Sequence, residues 1–229
     1  MNNTYNNIII EFKPQTTFRD WIFKEIRYDK NKKLESFSQI QIEELLEKVL
    51  NKIPTIIFNT MEKLDWKIIV TNTRDLEKEC DSNIKIFGYT NFDTQTIFVY
   101  ANEDGIKSLP HEIAHFVDYL LNISNTRDWE YVCEKDKNNF EYANAYFTNT
   151  NEKTECFADA FMLFVLNKDI LKNNTTYAYN VMSHLFEYMD YIITEDTVEH
   201  IKTMQENKMN ELLEKLSNNS IFSNHCNYL

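Results

Sequence analysis

Ser108-Leu109-Pro110-His111-Glu112-Ile113-Ala114-His115-Phe116-Val117-Asp118 is the stretch from which the rest of the chain is best read. His111 and His115 are four apart, and residues four apart on a helix share a face, so both imidazoles can point at one ion. Glu112, one step along, can reach a water on that ion as a general base. A helix is expected because Ile113, Phe116, Val117 and Leu120 form an apolar stripe. Ser108 can cap it, with Pro110 in the first turn, where a missing N–H costs little. With 5 His and 36 Asp+Glu in 229 residues, about 0.02 such matches arise by chance, so coincidence is disfavoured. The plain alternative is a helix bearing two surface or core-satisfied histidines.

A catalytic zinc needs a third protein ligand and leaves one position for water. One common arrangement places a histidine six residues beyond the second, but that position here is Leu121. Downstream, Glu155-Cys156-Phe157-Ala158-Asp159 puts two acids into an otherwise apolar segment. Buried carboxylates are expensive unless paired or bound to a cation. Glu155 and Asp159 are four apart and share a helical face. Glu155 as metal ligand and Asp159 as hydrogen-bond partner of a ligand histidine would satisfy both; a solvated or Lys-paired acid is the plain reading of Asp159. Asp118, three residues after His115, can play a similar supporting part.

Around these blocks, 43% apolar and 14% aromatic residues are ample for a packed core and exclude a disordered chain. A net charge of -12 argues against nucleic acid or an anionic membrane as partner. No apolar run reaches the ~18 residues of a membrane span. Two glycines and three prolines exclude glycine-rich phosphate loops and dinucleotide fingerprints. Cys80, Cys133, Cys156 and Cys226 lack zinc-knuckle or redox spacing, so a disulfide framework is not expected. The start, Met1-Asn2-Asn3-Thr4-Tyr5, carries no secretory leader. The expectation is a cytoplasmic protein, or one exported without a leader or already trimmed.

The pattern predicts an α+β chain. Strands are expected at Ile8 to Phe12, Trp66 to Thr71, Ile84 to Thr90 and Gln95 to Ala101, the last two joined as a hairpin through Asn91-Phe92-Asp93-Thr94. Ser38 and Gln41 make a capping box ahead of a helix carrying Ile42, Leu45, Leu46, Val49, Leu50 and Ile53, and Pro54 starts the next. Beyond residue 105 helices are expected, among them Glu155 to Leu166, Tyr177 to Ile193 and Val198 to Leu216. The last shows Val198, Ile201, Met209, Leu212, Leu213 and Leu216 on one stripe. The shift suggests an N-terminal α/β lobe over 1–104 and a helical lobe with the metal site over 105–229, within one compact catalytic domain. His184, His200 and His225 lack spaced partners, and Lys30, Lys32 and Lys33 read as a solvated patch.

Taken together, His111-Glu112-x-x-His115 with Asp118 three residues on, and Glu155-x-Phe157-Ala158-x-Ala160-Phe161 forty residues past His115, resemble a known family. The chain looks like the catalytic domain of anthrax lethal factor and the related bacterial Pro-Pro endopeptidases. That resemblance implies a zincin-like fold, with a small mixed or antiparallel sheet, an active-site helix and a mostly helical C-terminal lobe. It implies a gluzincin-type zinc endopeptidase in which His111, His115 and Glu155 bind Zn2+ and Glu112 activates water. It also implies an extended protein or peptide substrate, paired by β-augmentation with the strand ahead of the zinc helix, Gln95 to Ala101. The family's oxyanion-stabilising tyrosine stands seven residues ahead of the third ligand, where this chain has Thr148. Tyr146 is nearest and takes the role, with Tyr142 a poorer candidate. Cys156 replaces an aromatic beside the ligand glutamate and reads as a buried thiol. Two other readings are a cytosolic regulatory metallopeptidase of the phage-repressor-cleaving kind, and an inert metalloprotease-like binding module. Intact Glu112 argues against the second.

Overall fold

Trp66-Lys67-Ile68-Ile69-Val70-Thr71 forms the centre of the sheet, since its β-branched run is buried on both faces: Ile68, Ile69 and Val70 are all core residues. The computed structural model describes residues 6–8, 25–28, 39–71, 87–136 and 152–223. Five strands lie in the order β1-β2-β3-β5-β4: β1 Asn6–Ile8, β2 Glu25–Tyr28, β3 Lys67–Thr71, β4 Gly88–Asn91 and β5 Thr96–Tyr100. β3 runs parallel to β2 and β5, while the β1/β2 and β4/β5 pairs are antiparallel, so the sheet is mixed. Strand β2 falls in a mixed-charge stretch with no strand signal. Residues 9–12 and 84–86 of the expected strands lie outside the described residues.

The expected hairpin is present. Asn91 Oδ1 accepts from the backbone N–H groups of Asp93 and Thr94 (both 3.0 Å), and Gln95 takes the left-handed conformation that closes the turn. This hairpin corrects one expectation. β5 is hydrogen-bonded on both sides, to β3 and β4, and has no edge to offer a substrate; among the described strands the edge on this side is β4.

Helices α1 Gln39–Leu50 and α2 Thr55–Lys63 flank Pro54 as the pattern predicts. Helix α3, Glu103–Leu121, carries the histidine pair but starts earlier than expected. Its N-cap is Asn102, whose side chain accepts from Gly105 N at 2.7 Å, and Glu103 and Asp104 complement the dipole of the first turn. Ser108 therefore lies inside the helix, its hydroxyl donating to Gly105 O at 2.8 Å, and Pro110 is an interior proline. The start is set by packing as well. A Cβ at Gly105 would run into the Tyr100 backbone, 2.7 Å from its nitrogen, so α3 sits directly on the end of β5. The 104/105 lobe boundary consequently falls within the first turn of α3, and one core cluster runs from Ile42 to Ile201.

A 3-10 turn at Ile123–Asn125 and helices α4 Arg127–Asp136, α5 Glu152–Leu166, α6 Lys168–Asn174, α7 Thr176–Ile192 and α8 Glu195–Ser223 complete the described structure. Of the α8 stripe, Val198 and Ile201 are buried, whereas Met209 and Leu213 are 58% and 55% exposed. Among the described residues no helix is long and apolar enough to cross a membrane.

Candidate metal centre

α3 and α5 bring the two sequence blocks together. On α5 the small residues Ala158 and Ala160 are fully buried beside Phe157 and Phe161, which lets the helices approach closely. Two polar ties hold the start of α5 to α4 and to the turn after α3. Trp129 of α4 donates its indole N–H to Lys153 O (2.8 Å), and Thr154 lies 3.4 Å from Ser124, which is itself held by Asp118.

At this junction His111 Nε2 lies 3.2 Å from His115 Nε2 and 3.2 Å from Glu155 Oε2, and His115 Nε2 is 3.6 Å from Glu155 Oε1. The edges of a tetrahedron of zinc ligands at about 2.05 Å are about 3.3 Å long, so the donor set fits that ion. Asp159, almost fully buried, holds His111 Nδ1 at 2.8 Å, which turns Nε2 toward the other two donors. Two imidazole nitrogens and a carboxylate converging in this way suit a cation. Without a metal that cation is a proton: burial alone would push His111 down, but the hydrogen bonds to Asp159 and Glu155 and the Glu112 charge outweigh it, raising its pKa to about 10. Burial and the charge on His111 lower His115 to about 4. Glu155 is held below the usual carboxylate range, since its bond to His111 and the two imidazoles outweigh its burial.

Glu112 points from the same helix into the β4 side of the site. Its carboxylate accepts from the Thr90 hydroxyl at 2.7 Å, and Gly88 leaves the gap in which its side chain lies. Burial raises its pKa, against the pull of His111 and the Thr90 bond. That shift favours a group that must take up a proton. Around the site opens a cleft of about 1480 Å³, lined by Leu45 and Val49 of α1, Tyr89 and Thr90 of β4, and Met162 and Leu166 of α5.

Against known proteins, no family model and no curated protein matches this chain. Among solved structures it is similar to the Pro-Pro endopeptidase of Paenibacillus alvei, with a TM-score of 0.51 and 20% identity over 67% of this chain and 95% of that one. That likeness shows the fold. The chain has an α+β, zincin-like architecture.

His111, His115 and Glu155 thus form a group that could hold a metal, the one such group among the described residues. Asp118 stands elsewhere than expected: its two oxygens accept from Ser124 N and Ser124 Oγ, each at 2.7 Å, so it ties down the turn after α3 and not an imidazole. Tyr146, Tyr142 and Thr148 lie outside the described residues. His184 stacks on Tyr188 and His200 is exposed on α8, so neither joins the group. Thr90, Gly88, Ser124 and Trp129 escaped sequence reasoning. Only Gly88 carried a signal, as one of two glycines and set within a strand pattern, where glycine marks a close approach.

Proposed function

We propose that the protein is a zinc-dependent endopeptidase, with His111, His115 and Glu155 as the metal ligands and Glu112 as general base. The observation that carries this reading is the convergence of the two imidazoles and the Glu155 carboxylate, with contacts of 3.2, 3.2 and 3.6 Å, and a buried carboxylate one residue along the same helix. A bound zinc would polarise the scissile carbonyl and acidify the attacking water. Glu112 takes the proton from that water and passes it to the leaving amine. Asp159 keeps His111 in the tautomer that presents Nε2. Tyr146 supplies a donor to the oxyanion of the tetrahedral intermediate.

The substrate is a protein or peptide bound in extended form along β4, the edge strand on this side among the described residues, whose Gly88, Tyr89 and Thr90 line the cleft. The name of the similar solved structure, an endopeptidase, supports the same class. An inert binding module would have no use for a carboxylate held beside a metal site. Replacing Glu112 with glutamine tests the proposal. Glu112→Gln should retain one zinc per chain by metal analysis and lose peptide-library cleavage by about a thousandfold or more, given what an acid–base group contributes. Undiminished cleavage by that variant would refute the mechanism.

A further inference from the structure

The carboxylate of Glu112 is held from a different element than the one that carries it. Thr90, buried on β4, places its hydroxyl 2.7 Å from Glu112 Oε2 and 3.1 Å from the Glu112 backbone oxygen. A hydroxyl has one proton to give, and the ionised carboxylate is both the nearer and the stronger acceptor. Two residues earlier, on the same face of the strand, Gly88 has no side chain. A Cβ there would stand 2.7 Å from Glu112 Cγ and 2.8 Å from Oε1, inside van der Waals contact with both, and 2.9 Å from Ser108 Oγ. One oxygen is therefore hydrogen-bonded, while the other and its methylene fill the space that a missing side chain leaves.

We propose that Thr90 and Gly88 are positioning residues for the proposed general base: the hydroxyl fixes one carboxylate oxygen and the glycine gap admits the rest of the side chain, so Glu112 is held in one orientation before substrate arrives. This rests on the reading of Glu112 as the base. A free glutamate has three side-chain torsions to settle, and reacting groups misplaced by about 1 Å can lose about a hundredfold in rate. Gly88, Tyr89 and Thr90 of the same strand line the cleft, so a peptide paired with β4 would be registered against the strand that aims the base.

The test uses the full chain loaded with zinc, in four forms: wild type, Thr90→Val, Thr90→Ser and Gly88→Ala. Valine keeps the shape of threonine without the hydroxyl, and serine keeps the hydroxyl. On a peptide that the wild type cleaves, Thr90→Val should lower kcat by about ten- to a hundredfold, the effect of one hydrogen bond to a charged group, with KM and zinc content within about twofold. Thr90→Ser should recover to within about threefold of wild type, and Gly88→Ala should lose kcat as Thr90→Val does. Crystal structures of the metal-free wild type and Thr90→Val supply a readout independent of activity. Glu112 should contact Thr90 in the first and leave that position in the second. Wild-type kcat in Thr90→Val, equal losses in Thr90→Ser and Thr90→Val, or an unmoved Glu112 in Thr90→Val overturns the positioning role. Should the wild type cleave no peptide while Glu112 still moves in Thr90→Val, the positioning stands and the peptidase reading falls.

Discussion

Replacing Asp159 with asparagine should weaken zinc binding about ten- to a hundredfold, the usual effect of losing the partner behind a ligand histidine. That corresponds to about 1.4–2.8 kcal/mol. The asparagine amide would keep an oxygen for His111 Nδ1, so the 2.8 Å contact and the ring orientation survive while the negative charge disappears. Two consequences oppose each other. Without that charge His111 falls from its raised pKa of about 10, so at pH 7 a proton competes less for Nε2, which favours the metal. The same charge also attracts the metal, and a dication carries twice the charge of a proton, so the loss on the metal side is the larger. Titration calorimetry in two buffers of different ionisation heat, with chelator competition, measures both. Wild type should release about one proton per zinc at pH 7, since His111 is protonated and His115, at about 4, is not. The variant should release a smaller fraction and bind more weakly. Wild-type affinity with an unchanged proton count would refute the assigned role of Asp159.

Two further outcomes follow from the structure. The folded His111 value of about 10 lies above its unfolded 6.5, so its stabilising contribution is full below about pH 6.5 and is lost as pH rises through 10. His115 runs the other way, its contribution present above about pH 6.5 and lost as pH falls through about 4. Metal-free protein should therefore lose Tm between pH 7 and 10 while zinc-loaded protein does not, as scanning calorimetry can record; parallel curves would contradict the His111 assignment. Gly105→Ala should destabilise the fold by about 1–3 kcal/mol in urea, the overpacking against Tyr100 outweighing the helix propensity gained. A stabilised variant would show that α3 does not rest on β5 as described.

What the sequence could disclose was local. The helix carrying Ile42 to Leu50, the strand after Trp66, the hairpin at Asn91 and the apolar helix from Glu155 all depend on periodicity or turn chemistry within a few residues, and each is present, though Ile53 lies past the end of its helix. Strand order is not local. That β5 is interior and β4 the edge follows from pairing with β3, which no pattern inside Gln95 to Ala101 encodes. Ser108 and Pro110 are sound signals for a helix start, but Asn102 with its acidic neighbours is another, and contact with Tyr100 decides between them. The α8 stripe encodes amphipathy but not what covers it, so Met209 and Leu213 lie exposed. At the site, the ligand spacing along one helix was readable. The partners that aim those side chains, Thr90 for Glu112 and Ser124 for Asp118, became visible only once the chain was folded.

The most direct measurement is an anomalous difference map at the zinc edge from crystals of the zinc-loaded chain. One peak is expected, bonded at about 2.0–2.2 Å to Nε2 of His111, Nε2 of His115 and a Glu155 carboxylate oxygen. A zinc held without Glu155, or no peak between α3 and α5, would contradict the metal centre on which the proposed chemistry stands.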